Sequence, residues 1–347
     1  MISPFDTTVV GSFPVLPFYP VKQDFPPYTD DIPHGELVVD DPFLPGIFEA
    51  LRMQNQVKID YPSYGQPQDM CDMFLGWLIN HGLEYKNGFK VVGDIEIPHT
   101  IPGIEYLQVA QKYFHFKGVR MPLTGPITLA ASVKVGEKSA IEYPEIVEKL
   151  AEFVSQTAYY YDKGGASIIC IDEPSLVYAL YVGLDTDFVV DMLNMVLTPI
   201  KRAVPSIHVC GQLTSSITDM LLSSRAHVLD HEFASIPGNY TMYSQDSLES
   251  HKKLLGFGCV VTNVEPAHLI EIQKDGNWQK VVEPVKLIKK RITKAIAIWG
   301  KNNLILDPDC GFGGMRGYIS GKLTSKVAMD ICYYKLKNMV QVKQEIS

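Results

Sequence analysis

Eight short apolar runs, each closing on or near glycine, proline or an acidic residue, constrain the fold of this chain more than any other feature: "TTVVGSFP", "VKIDYPSYG", "GVRMPLTGP", "ASIICIDEP", "SIHVCG", "AHVLDHEF", "GFGCVVTN" and "NLILDPDCG". Longer stretches with helical spacing separate several of them. Two examples are "PEIVEKLAEFVSQTAYYYDKG" and "EPVKLIKKRITKAIAIWG", each ending at a glycine, where helices commonly stop. Strand, helix, strand implies parallel pairing, and eight strands is the number that closes a (β/α)8 TIM barrel. A further run, "FKVVGDIEIP", follows "KNG" and reads as an inserted β-hairpin outside the eight. The proline-broken first fifty residues, including "FPVLPFYPVKQDFPPYTDDIPHG", read as a long N-terminal loop over the barrel mouth.

Length and charge narrow the function classes. At 347 residues the chain exceeds an ordinary domain, but α/β barrels routinely run past roughly 250 residues as one unit, so residues 1–347 are expected to form a single catalytic domain. A formal net charge of −8 disfavours nucleic acid and anionic membrane surfaces as partners. No apolar run reaches the roughly 18 residues a membrane span needs, and "MISPFDTTVV" lacks the basic and apolar regions of a leader, so a cytoplasmic location is expected. The six cysteines are too sparse for a disulfide framework and read as reduced thiols.

Two of those thiols attract a chemical reading. In a strand, His208 and Cys210 of "SIHVCG" would share one face about 7 Å apart, which makes half of a zinc site. A half-buried strand that happens to carry both residues explains the pair alone equally well. The wider pattern favours a reactive site. Asp172, Glu173, His208, Cys210, Glu232 and Cys310 all fall at the carboxyl ends of expected strands, the end where barrel enzymes build their sites. His208, Cys210, Glu232 and Cys310 offer imidazole, two thiolates and a carboxylate, all of which zinc accepts in tetrahedral geometry.

In this order, "TTVVGSFP", "IDEP", "HVCG" with a glutamate 22 residues after its cysteine, and "DPDCG" resemble the catalytic C-terminal barrel of cobalamin-independent methionine synthase, over nearly the whole chain. The resemblance implies a zinc-dependent methyltransferase. It implies zinc on His208, Cys210, Glu232 and Cys310, joined by the thiol of homocysteine, and a substrate amino-acid pocket built from Gly11, Ser12 and Asp172. A zinc ion suits that task, since the thiolate is the nucleophile and a Lewis acid raises its fraction at neutral pH.

This sequence departs from the family pattern at two residues. Gln66 of "YGQPQDM" stands where the family has a carboxylate that helps bind the substrate ammonium. "VVTNVEP" places Thr262 and Asn263 near the position of the family's proton-transfer histidine, so the catalytic residue is unassigned; His268 reads as a surface residue of the next helix. Resemblance to barrel-only forms implies a methylated corrinoid (a methylcobamide), carried by a partner corrinoid protein, as methyl donor in place of folate. One alternative is the related barrel family that methylates coenzyme M. Another is a non-catalytic zinc barrel that docks a corrinoid protein. "GFGG" after Cys310 reads as a flexible hinge that lets the cysteine reach the metal.

Overall fold

Six of the eight runs form strands, and all six pair in one parallel sheet. In chain order the strands are β1 (Leu83–Tyr85), β2 (Phe89–Val91), β3 (Arg120–Thr124), β4 (Val133–Val135), β5 (Lys138–Ser139), β6 (Ile168–Asp172), β7 (Val204–Val209), β8 (Val228–Glu232), β9 (Leu254–Val260) and β10 (Leu304–Pro308). The main sheet has the order β10-β9-β8-β7-β6-β3 and every pairing in it is parallel. In the computed structural model, residues 2–15, 42–99, 101–319 and 324–346 are described; most of the expected N-terminal loop lies outside the described residues.

The first two runs differ from expectation. They contribute single parallel bridges, Thr7 to Leu306 of β10, Thr8 to Tyr61, and Ser63 to Arg120 of β3. Side chains have taken over the pairing that a longer ladder would supply. The Thr7 amide and hydroxyl both donate to Asp60 Oδ2, and Thr8 Oγ1 donates to the Tyr61 carbonyl. Threonine and aspartate compete with backbone ladders in this way.

A second sheet, β1-β2-β4-β5, stands apart from the first. Its β1 and β2 form an antiparallel hairpin around Lys86, Asn87 and Gly88, with Asn87 at φ 57° and Gly88 at φ 120°. That is the turn chemistry expected of "KNG".

The register divides the main sheet into two chemically different faces. One face carries Met121, Leu123, Ile169, Ile171, Ile207, Val209, Leu229, Leu255, Phe257, Leu304 and Leu306, all buried. Helices Pro144–Lys163 and Val285–Trp299 pack against the sheet. The other face carries Arg120, Cys170, Asp172, Ser206, His208, Asp230 and Asp307, and it is buried too. So many polar groups in a dry interior must be balanced against one another or serve a ligand.

Candidate metal and amino-acid site

The candidate ligands stand where the strands end. His208 lies next to last in β7, Cys210 follows that strand, Glu232 closes β8, and Cys310 follows β10. His208 Nε2 is 3.0 Å from Cys210 Sγ, and Cys210 Sγ is 3.4 Å from Cys310 Sγ. One ligand atom from each of these three residues falls within 4.8 Å of the others. With Zn–S bonds of about 2.3 Å, two thiolates on a tetrahedral zinc stand roughly 3.8 Å apart, so the donor set fits that ion.

Glu232 is half-buried beside the cluster and not in it. Its Oε2 accepts the Gly211 N–H at 3.2 Å. Burial and the neighbouring Cys310 charge push its carboxyl above the usual range. The hydrogen bond with Cys310, together with burial, holds the Cys210 thiol well above its ordinary value. A hydrogen bond from Cys210 and the nearby His208 hold the Cys310 thiol well below its ordinary value.

The amino-acid residues expected from the sequence surround the same strand ends. Asp172, 5% exposed, closes β6 opposite His208 in the register. Its Oδ1 has no hydrogen-bond partner among the described residues, and burial pushes its carboxyl up to about 7. Gln66 is buried, adopts φ 31°, and has an unpartnered Nε2. Gly11 faces it closely; a Cβ there would lie 3.1 Å from Gln66 Oε1. Glu173, by contrast, turns away. It accepts from the Ile127 and Thr128 amides and from Thr128 Oγ1, capping helix Pro126–Ala131.

The segment after Cys310 is pinned, which corrects the hinge reading of "GFGG". Phe312 N donates to the Ser12 carbonyl at 2.7 Å and Gly313 N to Ser12 Oγ at 3.2 Å. Glycine is needed for this approach: a Cβ on Gly311 or Gly313 would come within 2.2 Å or 2.6 Å of Ser12 Oγ. Arg316 donates to the carbonyls of Phe13, Gln66 and Gln68, so it braces two loop segments. Asn263 is exposed and faces the same loop, its Oδ1 lying 3.3 Å from where a Gly314 Cβ would stand. His268 is exposed on helix Pro266–Asp275.

The model of the family described as "Cobalamin-independent synthase, Catalytic domain" matches residues 5–344. The chain belongs to that family. It is 30% identical over 351 residues to the methionine synthase of Methanocaldococcus jannaschii, covering 98% of this chain and 99% of that protein. It is also 30% identical over 355 residues to the methionine synthase of Methanothermobacter marburgensis, covering 98% and 99%. Among solved structures, a B12-independent methionine synthase from Shewanella sp. W3-18-1, in complex with selenomethionine, superposes with a TM-score of 0.69. That likeness, at 16% identity over 99% of this chain and 98% of the other, concerns the fold alone.

Two further residues support the site without a sequence signal of their own. Asp230 lies two before Glu232, hence on the same strand face, and sits within reach of His208. Asp309 of "DPDCG" accepts the amides of Phe233, Ala234 and Ser235, fixing the turn after Glu232 to the segment that carries Cys310.

Proposed function

We propose that this chain is a zinc-dependent methyltransferase that converts homocysteine to methionine. The observation that carries the reading is the convergence of His208, Cys210 and Cys310, within 4.8 Å, at the strand ends that also hold Asp172. Zinc held by these three, with Glu232 as a fourth ligand, would supply a Lewis acid that keeps the substrate sulfur as thiolate. In the overall reaction that sulfur loses its proton and forms a bond to the methyl carbon as the donor's bond to that carbon breaks.

The remaining residues bind and orient the amino acid. Asp172 Oδ1 is an unpartnered acceptor and Gln66 Nε2 an unpartnered donor, the complement that an α-amino acid's ammonium and carboxylate require. Gly11 and Ser12 close the pocket against the segment following Cys310. The same reading takes residues 7–8 and 61–63 as the first two staves of a closed eight-stranded barrel, supported by the three parallel bridges that link β10 to β3. It is treated as one catalytic unit in the cytoplasm, all six cysteines being free.

The methyl donor is the least constrained part. A methylated corrinoid, brought by a corrinoid protein, was expected from the sequence, but the matching family is described as cobalamin-independent. A methylated folate is therefore tested beside it. Zinc-loaded protein is assayed with each donor, offering homocysteine and coenzyme M in separate reactions. Methionine formation is expected, and the donor that supports it is thereby assigned. Methylation of coenzyme M alone, or of neither thiol, would overturn the reading.

A further inference from the structure

Behind the three metal donors, on the same face of the sheet, lies a fully buried charged cluster. Arg120, 1% exposed, donates from Nη2 to Asp230 Oδ2 at 2.6 Å and to Cys170 Sγ at 3.0 Å. Its Nη1 lies 3.7 Å from Asp307 Oδ2. One guanidinium thus faces two carboxylates, which leaves carboxylate oxygens in need of a further donor. Asp230 Oδ1 is one such atom, and it lies 3.2 Å from His208 Nδ1. The contact is in range but off the direction of the ring N–H, and neither atom has a partner elsewhere among the described residues. The register gives Asp230 the room to sit there. Gly256 is its neighbour on β9, and a Cβ on that glycine would come within 2.8 Å of Asp230 Cα and Cβ.

The chemistry of imidazole gives this placement its meaning. A metal ligand uses the lone pair of one ring nitrogen and leaves the other carrying a hydrogen. His208 Nε2 faces Cys210 at 3.0 Å; with that nitrogen on a metal, Nδ1 would carry the N–H, and in a dry interior that N–H needs an acceptor. We infer that Asp230, braced by Arg120, is a positioning residue: it accepts the Nδ1–H of His208 and so sets the ring with Nε2 toward Cys210 and Cys310. This rests on the reading of those three residues as zinc ligands. Carboxylate groups placed behind metal-bound histidines hold ring and tautomer in this way, and losing them typically weakens metal binding roughly 10–100-fold.

The test measures zinc affinity of the full chain by chelator competition in wild type, Asp230→Ala, Asp230→Asn and Cys170→Ala. Asp230→Ala is expected to bind zinc roughly 10–100-fold more weakly. Asp230→Asn should fall between, because its amide oxygen still accepts. Cys170→Ala removes the other partner of Arg120 Nη2 while leaving Asp230 in place, and should keep the wild-type affinity. A second readout requires no variant. In zinc-loaded wild type, the His208 ring N–H should appear in a nitrogen-resolved NMR spectrum as a hydrogen-bonded, slowly exchanging proton. Equal zinc affinity in wild type and both Asp230 variants, or a freely exchanging His208 ring proton in wild type, would overturn the inference. A wild-type chain that binds no zinc would sink the metal-site reading itself, and this inference with it.

Discussion

Replacing Asp172 by asparagine keeps the shape of the amino-acid pocket and removes its charge. Asp172 is 5% exposed and its Oδ1 has no partner among the described residues. Glu173 is committed to the cap of helix Pro126–Ala131, and Gln66 offers only a neutral amide. A substrate ammonium bound here therefore loses its carboxylate partner on substitution. A hydrogen bond to a charged group contributes about 1.5–3 kcal/mol, which corresponds to roughly 10–150-fold in Kd. Because burial pushes the Asp172 carboxyl up to about 7, the free carboxyl is largely protonated below that pH and cannot pair with an ammonium. Affinity should then rise as pH increases through about 7, and the full effect of the substitution should be read near about pH 8. L-Methionine is the suitable ligand for calorimetry, since it has no thiol whose titration would add its own pH dependence. Asp172→Asn is expected to weaken binding and to flatten the pH profile. An affinity within about threefold of wild type, with the pH profile retained, would refute the assignment of Asp172 as the ammonium partner.

Three further outcomes follow from the site and its support. Cys310→Ser should lower zinc content from about one per chain to near zero by elemental analysis while circular dichroism stays that of the folded protein, because the core does not depend on the metal; full zinc retention would remove Cys310 from the ligand set. Arg120→Met leaves Asp230 and Asp307 buried without their cation and should cost about 3–5 kcal/mol in denaturant unfolding. His231 is buried, with Nδ1 at the Val209 carbonyl and Nε2 at Tyr243 Oη, and burial depresses its pKa to about 4. The unfolded chain takes up that proton first, so stability should be lost as pH falls from about 6.5 toward 4; a stability difference between wild type and His231→Gln that does not vary with pH over that window would contradict this.

How much of this was legible depended on the range of the interactions involved. The runs "ASIICIDEP", "SIHVCG" and "AHVLDHEF" are legible as strands because a short apolar run closed by glycine, proline or an acidic residue is a local signal, and alternation then puts His208 and Cys210 on one face. The first two runs reach the structure as single bridges at Thr7, Thr8 and Ser63. Nothing local announces that Asp60 captures Thr7 across 53 positions. The pair of adjacent carboxylates was half understood. Asp172 lies at the site, but Glu173 points into a helix start that only the fold brings near. Arg120 is the least visible, since nothing in "GVRMPLTGP" marks its arginine for burial. Its partner Asp230 lies 110 positions away, and their juxtaposition is a product of sheet order.

The pinned loops join the candidate metal ligands to the proposed amino-acid pocket in one mechanical unit. Cys310 is followed directly by the residues that bond Ser12, and Arg316 then reaches the carbonyls of Phe13 and Gln66. On the other side, Asp309 holds the amides of residues 233–235 and thereby the strand end that carries Glu232. A displacement of Cys310 toward or away from a metal must therefore be transmitted to the "GSFP" turn and to Gln66. Arg316 makes that link with a rigid planar donor set fixed on backbone oxygens, which side-chain rotation alone does not release. The polar cluster beneath has the same character. Asp230 is shared between Arg120 and the rear of His208, so the histidine is held from behind while the cysteines approach from the loops. The histidine is thus held from the sheet and Cys310 from the pinned loops, so the three donors keep their places relative to one another.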